Sequence, residues 1–267
     1  MNRVVRMELG QLDELGRMET PVHRLDARAK ALVTFAFIVT VMSFPRHAIA
    51  PLTPFVLYPV ALLSLGHIPA SFLTRKLLVA APFALIVGVF NPILDRQPIL
   101  SFGSLTISGG WLSYASLMLR FVLTVSAALA LAACTGMNRL AAAMERLGVP
   151  RVFVVQLLFL YRYLFVIADQ GMMMMRSARL RGSGRALPPR VYGPMVGHLL
   201  LRAMERAERV HRAMVARGFD GNVRILNPTQ FRWPDAVFVG GSLLFFAAAR
   251  RWNLAADLGR LLAGGVS

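Results

Sequence analysis

Apolar positions in this chain come in blocks. Ala31 to Phe44, Ala48 to Leu65, Leu77 to Leu94, Trp111 to Thr135, Val152 to Ala168 and Pro234 to Ala249 are near-continuous apolar runs of 14 to 25 residues, separated by short polar or turn-forming stretches. Several exceed the stripe that a surface helix buries, and the longer ones reach the ~20 residues that cross a hydrocarbon core. The pattern predicts an all-α polytopic membrane protein with about five transmembrane helices. The first run is short for a core of ~30 Å at ~1.5 Å per residue, so its helix is expected to start among Ala27 to Lys30, or the bilayer to thin there. "FPRH" at 44 to 47 reads as a tight extracellular turn, and "DRQPILSFGSLTISGG" at 95 to 110 as a longer, nearly neutral loop.

Charge then orients the runs. The net charge is +17 over 267 residues, and it rests on arginine, since Lys30 and Lys76 are the only lysines. The arginines flank or interrupt apolar helices without a groove-reading motif, which argues against nucleic acid and for a positive-inside bias. The amino-terminal 1 to 29 segment is charged with mixed sign and lacks the apolar core of a signal peptide, so it reads as a cytoplasmic lead-in. Arg75 and Lys76 share that side, and the 95 to 110 loop lies outside. A span at 152 to 168 would then carry Asp169 to Trp233 outside, with twelve arginines against four acids. That would breach the rule badly, so 152 to 168 is expected not to cross.

Periodicity in this segment agrees. Val154, Leu158, Tyr161, Phe165, Ala168, Met172 and Met175 step by four and three as one stripe of a long helix, which reaches Arg179 at the next step. After the break at "ALPPRVYGP", Val196, Leu200, Ala203, Ala207, Val210 and Met214 form a second stripe, which reaches Arg217. The two stripes are expected to pack on each other over most of their length. On the opposite face of the second helix, Glu205 precedes Arg209 by four residues and Glu208 precedes Arg212 by four, the favourable order for ion pairs on a wet surface.

Reactive chemistry is sparse. His23, His47, His67, His198 and His211 are scattered without metal-ligand spacing, Cys134 is alone, and no phosphate-binding GxxxxGK[ST] loop is present. No cofactor and no metal site is expected. Four methionines at 172 to 175 point all round a helix and suit adaptable packing better than a soft-metal path. Arg120 lies about a third of the way along the fourth run, where an arginine needs water, a partner or a route to the interface. Its alternatives are a bond within the bundle and a place at an intramembrane partner interface.

Three stretches in order carry a family resemblance: "RLDARAK", "CTGMNRLAAAMERLGVPRVFVVQLLFLYRYLFV" and "ERVHRAMVARGFDG". Over about residues 20 to 233 the chain resembles the transmembrane T component of energy-coupling factor (ECF) importers, in the cobalt/nickel branch called CbiQ. The resemblance implies a non-catalytic scaffold of an ABC importer, embedded in the lipid bilayer. Its partners would be a membrane substrate-binding S component and two ATP-binding-cassette ATPase subunits. Coupling helices in that family end in two Ala-Arg-Gly signatures that dock into grooves of the ATPases. The second is intact here as Ala216, Arg217 and Gly218. The first departs from the pattern: "ARLRG" keeps an Ala-Arg pair at Ala178 and Arg179 and an Arg-Gly pair at Arg181 and Gly182. Helical phase favours Arg179, and the adjacent glycine favours Arg181.

The domain reading that follows is a lead-in at 1 to 29, transmembrane helices one to four at 30 to 136, a cytoplasmic coupling domain at 137 to 232, and a last transmembrane helix with a tail at 233 to 267. One rival is an integral membrane enzyme acting on a phosphorylated lipid or isoprenoid, which needs convergent acids or a metal cluster. Another is a self-contained channel or secondary transporter, which predicts repeats or broken midplane helices. Neither signature is visible in the sequence.

Overall fold

A computed structural model describes residues 18, 20–46, 48–94, 98–102, 105–182, 187–221 and 231–251. Most of the lead-in and the whole tail after 251 lie outside the described residues, as do parts of the segments on either side of the last two long helices.

The predicted all-α fold is what the chain adopts. A single turn, α1 (Pro21–Arg24), precedes α2 (Ala27–Met42), which starts within the expected window because Asp26 caps it, its side chain accepting the Arg28 N–H. The second apolar run is a 3₁₀ segment (Ala50–Val56) that continues into α3 (Leu57–Leu65). Then come α4 (Ala70–Leu94) and α5 (Gly109–Thr135), joined through an antiparallel hairpin of β1 (Pro98–Phe102) and β2 (Leu105–Ser108). Hairpin register pairs Phe102 with Leu105 and Leu100 with Ile107. A plain loop was expected there. The alternation Leu100-Ser101-Phe102 and Leu105-Thr106-Ile107 is the period-two signal that the turn formers obscured. The chain continues with α6 (Met137–Arg146), α7 (Arg151–Arg181), α8 (Pro189–Ala216) and α9 (Trp233–Arg251).

By its internal contacts the chain divides into two compact units, one holding α6 to α8 and the other the remaining elements. The larger unit is built around α5, whose buried residues are mostly small: Ser113, Ser116, Ser126, Ala127, Ala130, Ala133 and Cys134. Small side chains let helices approach closely, the packing that works in lipid where no hydrophobic force draws helices together. At Gly88 of α4 a Cβ would sit 2.7 Å from the Tyr114 ring of α5, so glycine sets that crossing. Phe37, Phe55, Tyr58 and Phe246 fill the core between α2, the 3₁₀ segment, α3 and α9, with Phe37 stacked on Tyr58 at 4.7 Å.

Three described helices are long and apolar enough to cross a membrane by length and composition: α4, α5 and α7, with mean hydropathies of 1.8, 2.1 and 1.8. The Ala50–Leu65 stretch is apolar but shorter. The outer faces of these helices are apolar; on α4, Leu78, Val79 and Phe83 are each about three-quarters exposed, as lipid-facing residues are. Composition alone thus admits α7 as a span, whereas the arginine excess beyond it opposes one.

Candidate functional site

The end of α8 explains the order Ala216-Arg217-Gly218. Gly218 has φ +78°, a left-handed conformation that costs a residue with a Cβ, and its N–H donates to the Val215 carbonyl at 2.9 Å. Phe219 N–H donates back to the Met214 carbonyl at 3.0 Å. These two bonds make a Schellman cap, and Phe219 turns inward to join Met214 in the groove between α7 and α8. Arg217, held on the cap itself, is exposed. The sequence therefore stops a helix abruptly and presents a guanidinium at the stop.

At the end of α7 the arrangement differs. Arg181 is the last helical residue and Gly182 the cap, with φ −89°, its N–H still donating to the Ala178 carbonyl at 3.1 Å. Arg179 and Arg181 are both exposed but lie on different faces. Arg181 shares a shallow surface with Met173, Arg176, Ser177 and Leu180, while Arg179 continues the line of Met172 and Met175.

The helices α7 and α8 run antiparallel. Leu199 lies beside Gly171, and a groove of about 390 Å³ is lined by Gln156, Phe159, Tyr163 and Ile167 from one helix and Ala203, Ala207, Val210 and Met214 from the other. For α8 this is the predicted stripe. For α7 it is nearly the opposite face from the predicted Val154-Leu158-Tyr161-Phe165 line. Residues 152 to 168 are apolar almost all round, so a four-three step can be drawn on either side, and periodicity cannot choose between them. The predicted surface pairs are present, with Arg209 to Glu205 at 3.6 Å and Arg212 to Glu208 at 3.0 Å.

Arg120 makes a bond within its own unit. Its guanidinium donates to the Pro45 carbonyl in the turn after α2, and Arg250 of α9 donates to the Ser43 hydroxyl in the same turn while lying 5.3 Å from the Phe44 ring centre. Both arginines thus brace one polar turn. The Arg120 Nε atom is buried without a bond among the described residues.

A second polar assembly went unread in the sequence. Asp235, in the first turn of α9 and 3% exposed, accepts the Arg232 N–H at its own helix start and the Asp26 N–H at the start of α2, both at 2.7 Å. Lys30, 1% exposed, donates to the Cys134 carbonyl at 2.9 Å, at the end of α5. Both ions sit where helix dipoles favour them, the carboxylate at an amino end and the ammonium at a carboxyl end. Just before Asp26 in the chain, His23 and Thr20 share a buried 2.6 Å bond. Asp26 and Lys30 stand inside "RLDARAK", but Asp235 is 209 residues from Asp26, and no spacing rule connects them.

No group of three or more His, Cys, Asp or Glu able to hold a metal occurs among the described residues. Several helices long and apolar enough to cross a bilayer, with apolar outer faces, define a multi-pass membrane protein. The chain belongs to the cobalt transport protein family, CbiQ, whose model matches residues 18–226. It is similar over 261 residues, at 29% identity, to the energy-coupling factor transporter transmembrane protein EcfT of Limosilactobacillus fermentum, covering 86% of this chain and 94% of the relative. It is also 27% identical over 245 residues to an uncharacterized protein of Methanocaldococcus jannaschii, covering 86% of this chain and 82% of that one.

Proposed function

We propose that the chain is the membrane-embedded coupling subunit of an ECF-type importer, and that α6 to α8 form its cytoplasmic coupling domain. It hydrolyses no ATP itself; two ATPase subunits do so, and their movement passes through this subunit to a substrate-binding membrane component. Family membership and the EcfT relative support the assembly. The family's description supports cobalt as cargo, and the resemblance to the cobalt/nickel branch adds nickel.

The observation that carries the reading is the antiparallel α7–α8 pair. Because the helices run in opposite directions, Arg217 stands at the end where α7 begins, and Arg179 and Arg181 stand at the other. At 1.5 Å per residue the 31-residue α7 separates these ends by roughly 45 Å. Two exposed guanidinium tips so far apart suit two separate protein grooves better than one phosphate site, which would need them to converge. Planar, permanently charged and rich in donors, the guanidinium suits a groove lined with acids and carbonyls. Of the two arginines on α7, we assign the role to Arg181. Helical phase favoured Arg179 only through a stripe that does not face α8, whereas Arg181 is the last residue of α7 and is followed directly by a glycine, as Arg217 is.

Purification from cells co-expressing the ATPase pair tests this. The tagged chain is expected to bring down both ATPases in one complex. A chain that purifies alone, and turns over a phosphorylated lipid or isoprenoid, would replace the reading with the enzymatic one.

A further inference from the structure

The buried assembly of Asp26, Lys30 and Asp235 occupies a distinctive place in the chain path. The chain leaves the larger unit at Gly136, just after the Cys134 carbonyl that Lys30 holds. It re-enters at the start of α9, where Asp235 holds the Arg232 N–H. Both ends of the segment that carries α6 to α8 therefore arise next to polar bonds made by the start of α2: Lys30 belongs to its first turn and Asp26 is its cap. We infer that this cluster is an anchor that fixes both stems of the coupling unit to α2, so that displacement at the arginine tips moves the membrane helices as a body instead of being absorbed by fraying at α5 and α9.

The chemistry fits an anchor. Helix ends are where backbone bonds run out and fraying begins, and here the end of α5 and the start of α9 are each closed by an ionised side chain. Bonds to charged groups are stronger than neutral ones, and in a buried site the released N–H or carbonyl finds no water to replace them. Asp26 adds a bond to the Arg28 N–H at 2.9 Å, and Arg28 Nε lies 3.8 Å from its carboxylate. Simple packing would need none of these charges. Apolar residues at 30 and 235 would fill the volume without holding backbone groups on three helices.

The inference rests on the coupling reading, and one experiment separates the two. The complete complex, with its ATPases and S component, is placed in vesicles, and ATP hydrolysis is measured together with uptake of cobalt(II) or nickel(II), whichever the unaltered complex takes up. Asp235→Ala is expected to keep the ATPases bound and hydrolysis within about twofold, while metal taken up per ATP falls about tenfold, because the buried Asp26 N–H and the part-buried Arg232 N–H lose their acceptor. Lys30→Met should uncouple in the same direction, and Asp235→Asn, which keeps one acceptor oxygen, should fall less. An unchanged ratio in both Asp235→Ala and Lys30→Met overturns the anchor. So does a parallel loss of complex, hydrolysis and uptake in Asp235→Ala and Asp235→Asn alike, which marks a purely structural role. An unaltered complex that never assembles overturns the coupling reading itself.

Discussion

Gly218 shows how much one residue does at a helix end. Nothing lies within 4 Å of where its Cβ would be, so space is no obstacle to a larger residue; only the φ of +78° is. An L-residue held left-handed costs about 1 to 2 kcal/mol, and asparagine less than most. Gly218→Ala is therefore expected to loosen the Met214 and Val215 cap bonds, raising amide exchange at Gly218 and Phe219 by about tenfold, with Gly218→Asn between it and the unaltered chain. Equal exchange in all three would show that the cap does not hold the tip. The exposed place of Arg217 at the end of α8 was legible from sequence because stripe, arginine and glycine are neighbours in one segment. Asp235 was not, because its meaning lies in a backbone N–H more than two hundred residues away, and a lone acid at a helix start reads as an ordinary dipole partner.

Element positions were legible wherever the pattern changed sharply. The start of α2, the break between α7 and α8 and the surface ion pairs of α8 all follow from caps, prolines and spacing. The face of α7 that meets α8 did not follow, since an apolar surface all round carries no phase, and the hairpin between α4 and α5 was hidden among turn formers. For α7, length and composition permit a span, while the twelve arginines between 169 and 233 oppose it. A cysteine at Ser177, which is exposed near the end of α7, distinguishes the two. Cys134 is the only native cysteine and is buried, so background labelling is low. Ser177→Cys should be shielded from an impermeant external thiol reagent in whole cells and react after permeabilisation. Ready labelling in intact cells would place this end of α7 outside.

At the scale of the whole molecule, an apolar body and an arginine-rich unit answer to different surroundings. Composition was enough to recognise a polytopic membrane protein, and the order of three motifs enough to suggest its family. Which residues act as joints depends on two tips, each expected to occupy one ATPase groove. Removing a guanidinium from a buried groove costs on the order of 2 to 5 kcal/mol, and two tethered contacts reinforce each other through effective concentration. The most direct test compares pull-down of the ATPase pair by Arg217→Glu, Arg217→Glu with Arg181→Glu, and Arg217→Glu with Arg179→Glu. The single change should weaken uptake yet retain the ATPases. The double change at Arg181 should release them from a membrane body that remains folded, and the double change at Arg179 should retain them. Release only with Arg179 would move the first joint back by two residues; full retention and full uptake in both double variants would contradict a coupling role for these tips.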